Sequence, residues 1–310
     1  MNVFPRCQVL PLADHQTAVF LDGSERFRWH YGSEYPRPFF YPIKGPTGSS
    51  LTRMGHPGAA NHDHHRSVWF AHHKVLGIDF WSDNTKAIIR QLHWLAYEDG
   101  DEEAILGARL RWYDGHDPAH LLEQDLIAAA RPLENGEWLM ELHSTFTPKA
   151  DSLEFGQTNF GFLAVRVAKN ISEYFGSGQI TNSDGQSGEI AVFGKRAKWM
   201  DYSGPVPAIE VPARKHAWEG ITYFDHPQNP GYPAHWHVRE DGWMGASPCL
   251  KAAITNTKEN PLVLRYLLHI HRDPIAKTRA NQIAEDFAAH PGYVVEKSTQ
   301  KHRQWTVRRK

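Results

Sequence analysis

ILGARLRWY (105–113), LLEQDLIAAAR (121–131), WLMELHSTFT (138–147) and FGFLAVRVA (160–168) follow one another through the middle of this chain, and their reading decides the fold. Each run has strand length and is rich in branched and aromatic residues. Asp114-Gly115 and Glu134-Asn135-Gly136 supply turns between them. Runs at this spacing predict antiparallel strands of a sandwich or barrel. Outward in both directions the pattern continues. TAVFL (17–21) and FRWHY (27–31), split by Asp22-Gly23-Ser24, predict a hairpin, and GEIAVFGKRAKWMDYSG (188–204) carries strand signals around Gly194. ITYF (221–224) and LVLRYLLH (262–269) add two more strands. Pro274 to Ala289 alone reads as helix, a short one near 275–289, with Ile275, Ile283 and Phe287 apolar among polar neighbours.

With 310 residues the chain can bury a large core, and residues 1–310 are expected to form one β-sandwich domain with a few peripheral helices. Its 34 basic and 35 acidic residues give a formal net charge of -1, so neither nucleic acid nor an anionic membrane is an expected partner. The six Lys and Arg between Lys297 and Lys310 read as a solvated basic tail. Cys7 and Cys249 stand in no disulfide or zinc-ribbon spacing. The start lacks a basic segment followed by a long apolar one, and no apolar run reaches bilayer length, so a cytoplasmic protein is expected. A P-loop, a GxGxxG opening a helix, a GxSxG elbow and an HExxH are all missing, which predicts no nucleotide cofactor and disfavours serine hydrolase and zincin chemistry.

The chemistry concentrates in three places. Six histidines fall between His56 and His73, in HPGAANHDHHRSVWFAHH, after a stretch in which Pro36, Pro38, Pro42, Pro46 and Pro57 predict a structured loop rather than a central strand. Imidazole titrates near neutrality and ligates metals, so this cluster predicts proton transfer or metal binding. On an extended backbone His62 and His64 would share one face and grip one ion, zinc being the favoured metal, with His65 and His72 as further ligands. The spacing approaches half a cupin motif, but no glutamate follows the HxH. FDHPQNPGYPAHWHVRE (224–240) is the second place, holding Asp225, His226, Asn229, His235, His237 and Arg239 in a proline-rich loop. There a functional site and an Asp/Asn turn network are equally open readings. His269 and His271 in HIHRD form a second HxH, able to complete a site begun by His62 and His64. Arg37, Arg66, Arg166 and Arg239 flank these loops as substrate clamps or structural ion pairs.

RPFFYPIKGPTGSSLTR (37–53), HDHHRSVWFAHHKVLGIDFW (62–81), WMDYSG (199–204), FDHPQNPGYPAHWHVREDGWMGASP (224–248) and PLVLRYLLHIHRD (261–273) together resemble a bacterial family labelled methane oxygenase, the PmoA family. The resemblance covers about residues 36–290. It implies a soluble, mostly β protein linked to carbohydrate catabolism. The family's HPHHRGLWFA stands here with Asp63 and Ser67 in place of proline and glycine, and its DHP.NPR.P.PWHVR with Gly231 and His235 in place of arginine and proline. The matching positions His62, His64, His65, Arg66, Asp225, His226, Asn229 and Arg239 are implied as the site.

The expected fold is therefore mostly β, a large antiparallel sandwich of the size seen in aldose-epimerase-like supersandwiches. The expected function is carbohydrate processing by histidine acid-base chemistry, of epimerase, lyase or hydratase type, with metal assistance an added element; the alternative is a non-catalytic carbohydrate-binding protein. His64, His65, His226 and Asp225 are the expected catalytic groups. Arg66, Asn229, Arg239, Trp69 and Trp236 are expected to hold the sugar, and His62 and His64 the metal.

Overall fold

The computed structural model describes residues 4–207 and 216–310. Five strands open the chain: β1 (Cys7–Leu12), β2 (Gln16–Leu21), β3 (Ser24–His30), β4 (Phe39–Ile43) and β5 (Val68–His72). They lie side by side in that order, each antiparallel to the last. Asp22 and Gly23, with φ of 50° and 76°, turn β2 into β3. That doubly left-handed geometry is what a two-residue hairpin demands, and Asp-Gly adopts it with little strain.

β6 (Ile88–Glu98), β7 (Ala104–Tyr113), β8 (Leu122–Pro132) and β9 (Trp138–Pro148) then meander through a second sheet. After β10 (Ser152–Phe155), β11 (Gly161–Arg166) returns to the first sheet and pairs with β5. β12 (Gln179–Asn182), the one-turn helix α1 (Glu189–Val192), β13 (Trp199–Pro207) and β14 (His216–Asp225) follow. The hairpin β15 (His235–Arg239) and β16 (Trp243–Ser247) extends the first sheet beside β11. β17 (Ile254–Thr257) pairs with β10, and β18 (Leu262–Arg272) closes the second sheet between β9 and β14. The described residues thus form two eight-stranded antiparallel sheets, β1-β2-β3-β4-β5-β11-β16-β15 and β12-β13-β14-β18-β9-β8-β7-β6. The chain ends with α2 (Lys277–Ala289) and a hairpin of β19 (Tyr293–Lys297) and β20 (Trp305–Arg309).

Side chains alternate across each strand, so one face of each sheet supplies the shared core. Phe40, Val68, Phe70 and Phe162 from the first sheet are buried in one cluster with Trp112, Leu126, Met140, Phe146, Tyr266 and Leu268 from the second. Each such side chain contributes roughly 1.5–3 kcal/mol of burial free energy. The outer face of the second sheet is covered twice. α2 lays Ala280, Ile283 and Phe287 over Leu139, Trp199, Phe224 and Leu267. The β19–β20 hairpin sets Tyr293 and Val307 on Leu95, Ile105, Ile127 and Ala129. The outer face of the first sheet instead carries an aromatic cluster of Phe39, Trp69, Trp81 and Trp243 with Ala71 and Ala164.

The mostly β, antiparallel architecture and the late helix agree with the sequence reading. Three local expectations are corrected. The proline-rich stretch contains β4, because Pro42 falls where the ladder is already broken: β4 meets β3 across a register shift and β5 through the single pair Phe40–Val68. Glu189–Val192 is a helical turn rather than a strand. The basic tail is structured, since Arg309 donates to Glu103 and Glu141 at 2.8 and 3.0 Å and its guanidinium lies 4.2 Å from the Tyr293 ring centre. No helix among the described residues is long and apolar enough to cross a membrane.

Candidate active site

Cross-strand register on the outer face of the first sheet builds a cleft. One row runs Trp69, Ala164, Gly245, His237 across β5, β11, β16 and β15. The two small residues in its middle leave a trough between the tryptophan and the histidine. The next row is Arg166, Trp243, Arg239, which sets an indole between two guanidiniums. Asp241 sits in the tight turn from β15 to β16, closed by Gly242 N–H donating to the Arg239 carbonyl at 3.1 Å. Gly242 takes φ +101°, a conformation that disfavours any side chain. The turn brings Asp241 against Arg166, whose Nη1 donates to Oδ1 at 2.9 Å, and His56 Nε2 lies 3.0 Å from Oδ2.

The cavity above these rows measures about 510 Å³, and His62, His64, His65 and His73 join His237 in lining it. Trp81, Trp243, Phe160 and Phe193 form its aromatic walls. The histidine segment does not run extended. Ala60–His62 is a turn of 3₁₀ helix, and the His62, His64 and His65 rings gather 4.4–6.0 Å apart between centres. His65 stacks on Trp69 at 5.5 Å. Burial, reinforced by the neighbouring His64 and Arg166, drives its pKa far below that of free imidazole. Burial and the Arg37 charge push His64 down to about 4 against the opposing pull of Asp83. Burial also lowers His237 to about 4, although a bond to the Asn159 carbonyl favours its charged form. His237 Nδ1 lies 3.2 Å from that carbonyl. Since a carbonyl only accepts, Nδ1 carries the proton and Nε2 presents a lone pair.

Several buried nitrogens here have no protein partner: His62 Nδ1, His65 Nδ1, Arg166 Nε and the indole nitrogens of Trp69, Trp81 and Trp243. Buried polar groups are nearly always hydrogen-bonded, so such a concentration marks a place where solvent or a ligand completes the bonding.

Of the residues expected from the sequence, His62, His64, His65 and Arg239 reach this cleft. Arg239 also pairs with Glu189 at 3.1 Å. Arg66 is drawn aside, held with Arg37 by Asp83, and lies 5.2 Å from the Tyr35 ring centre. Trp69 is the floor beneath His65 and is 1% exposed, so no face is free for stacking. Trp236 points the other way, into the core, where its Nε1 donates to the Ala197 carbonyl at 2.8 Å. Trp81 and Trp243, 4% and 2% exposed, are the indoles that line the cavity, and Phe160 and Phe193 are its more exposed rings.

Asp225, His226 and Asn229 lie apart, in the second sheet and its adjoining loop. Asp225 accepts from Asn229 Nδ2 at 2.7 Å and from Ala234 N–H at 2.8 Å. Asn229 brackets the backbone of Arg265 from both sides, and Arg265 Nη1 stands 2.9 Å from His226 Nε2. This is the Asp/Asn turn network, tying the loop to β18. His269 pairs with Glu137 at 3.0 Å and His271 with Asp201 at 2.8 Å, also in the second sheet. The single site joining His62, Asp225 and His269 does not form. His72 faces inward and meets the Gly156 carbonyl. Among the described residues no three His, Cys, Asp or Glu side chains converge as a ligand set, because the 3₁₀ turn removes the strand alternation that would have aimed His62 and His64 together.

Asp241, Asn159, Phe160, Trp81 and Trp243 escaped the sequence reading. Only Asp241 carried a signal, as the acidic residue in the Asp-Gly turn after Arg239.

No curated protein matches this sequence. Among solved structures, the chain is similar to one described as a "putative mutarotase (YeaD)" from Salmonella typhimurium, at 13% identity and a TM-score of 0.33, covering 88% of this chain and 96% of that one. A family described only as one of unknown function, DUF6807, matches residues 16–285, and neither the PmoA label nor a carbohydrate link comes with that description. Spanning as it does both sheets and the whole cleft, that match makes this chain a member of the DUF6807 family.

Proposed function

We propose that this protein is a carbohydrate-processing enzyme that binds a sugar or sugar derivative in the cleft of the first sheet and moves a proton with its histidines. The observation that carries the reading is the join of His64 and His237, both held neutral, with the accessible rings of Phe160 and Phe193 in one cavity. A sugar ring offers apolar C–H faces to aromatic rings and hydroxyls to convergent polar groups, which is this lining. His237 Nε2 accepts a proton from a hydroxyl or an activated carbon and, as the imidazolium so formed, returns it to the product, while neutral His64 hydrogen-bonds the reacting oxygen. Arg239 donates to ring or carbonyl oxygens, and the Asp241 carboxylate, anchored by buried Arg166, accepts from hydroxyls.

The test is a panel of aldoses, ketoses, uronic acids and glycosides, followed by proton NMR in deuterated water for exchange, epimerisation or water loss. Conversion of one member, lowered by about 10²–10⁴-fold in His237→Asn or His64→Asn, supports the enzyme. A sugar that raises the melting temperature yet is never converted leaves a carbohydrate-binding protein instead.

A further inference from the structure

Phe160 and Phe193 are walls of two cavities. On one side is the histidine cleft; on the other is a second, about 740 Å³, whose lining shares His73, Asn159, Phe160 and Phe193 with the first. Phe160 and Phe193 stand edge-on to His237, their ring centres 5.1 and 5.2 Å from it, so both rings border the space beside the proposed proton-transfer group. Past them the lining changes character. The second groove has exposed Lys74, Glu154 and Gln157, and it lacks the buried imidazoles and indoles of the first.

A single small ligand is served by a cavity of roughly 300–1,000 Å³, a range that the first cleft already meets alone. A contiguous second groove of similar scale, lined by an ammonium, a carboxylate and two amides, is hydrogen-bonding space beside that cleft. We infer that the substrate has at least two linked units. One unit sits among the histidines, and a second, hydroxyl-bearing unit lies across Phe160 and Phe193 against Lys74 and Gln157. On the carbohydrate reading, on which this rests, the substrate class is a glycoside or oligosaccharide rather than a free monosaccharide. The second unit is a recognition element, bound away from His64 and His237.

An array of mono-, di- and trisaccharides of the common hexoses, pentoses and uronic acids, followed by calorimetric titration of the best binder and its one-unit fragment, tests this. The longer glycan should bind at least about tenfold tighter than its fragment. The exposed double substitution Lys74→Ala/Gln157→Ala should abolish that difference and leave the fragment's affinity and the melting temperature unchanged. Equal binding of fragment and longer glycan overturns the two-unit substrate and leaves the carbohydrate reading standing. A double variant that retains the tenfold preference also overturns it. Binding of no glycan at any length overturns both.

Discussion

Arg166 is wholly buried at the end of β11, and the carboxylate of Asp241, reaching it from the β15–β16 turn at 2.9 Å, remains about 30% exposed. The pair therefore spans the boundary between sheet and cleft. Burial raises the Asp241 pKa, but the bond and charge of Arg166 and the bond from His56 outweigh it and hold the group below the usual carboxylate range. Asp241→Ala should leave the Arg166 cation uncompensated and cost about 3 kcal/mol, since breaking a buried pair strands a charge. Urea unfolding measures this, and a loss below about 1 kcal/mol would show that Arg166 does not depend on its partner.

Acid should destabilise the protein between about pH 6.5 and 4. Burial lowers His64, His72, His226 and His237 to about 4 and His143 to about 3. The unfolded chain, with imidazoles near 6.5, takes up protons first as pH falls through that window, so folding stability is lost there. Burial raises Asp225 to about 6 and Glu219 to about 7, which acts in the opposite sense: their contribution is present at low pH and lost as pH rises through those values. Five histidines outweigh two carboxylates. The urea midpoint should fall on going from pH 7.5 to 4.5, and a flat or rising midpoint would contradict the buried neutral imidazoles.

Two tryptophans should respond in opposite ways. Trp236→Phe removes the bond to the Ala197 carbonyl inside the core and should cost about 1–3 kcal/mol without altering sugar binding. Trp243→Phe removes an indole nitrogen that has no protein partner, so its loss should be felt in ligand affinity more than in stability. Paired melting and titration experiments separate the two. Equal effects of both variants on binding would contradict the inward orientation of Trp236.

Protein purified without a polyhistidine tag should carry less than about one tenth of an equivalent of zinc, and zinc addition should not restore more, because a built site holds its ion. Elemental analysis reads this directly. A stoichiometric metal lost in His62→Asn or His64→Asn would show that the histidine turn rearranges into a ligand set.

The strands were legible where alternation and turn chemistry agreed, as from Ala104 to Arg166 and in the Asp22-Gly23 hairpin. The histidine segment was legible as a cluster but not as a geometry, because adjacent histidines read alike on a strand and in a 3₁₀ turn. The split between His62 and Asp225 was invisible for a different reason. Both stretches are polar and rich in turn residues, and only the register of β14 against β18 puts Asp225, at the start of the second, on the other sheet, while its end, His235–Arg239, joins the first. Trp81 and Trp243 were hidden among the 11 tryptophans of the chain, since nothing local says which face an indole takes.

The row Trp69, Ala164, Gly245, His237 has its back to the core: Val165, Met244, Ala246, Trp236 and Val238 alternate with the outer residues along three of the same strands and point inward. Each strand is thus written in two interleaved alphabets, one read by the fold and one facing the cleft. Substitutions in the second can change the cleft's lining without being legible to the first; on the proposed function, the two phenylalanines at the cleft's border are where such divergence would change substrate length rather than chemistry.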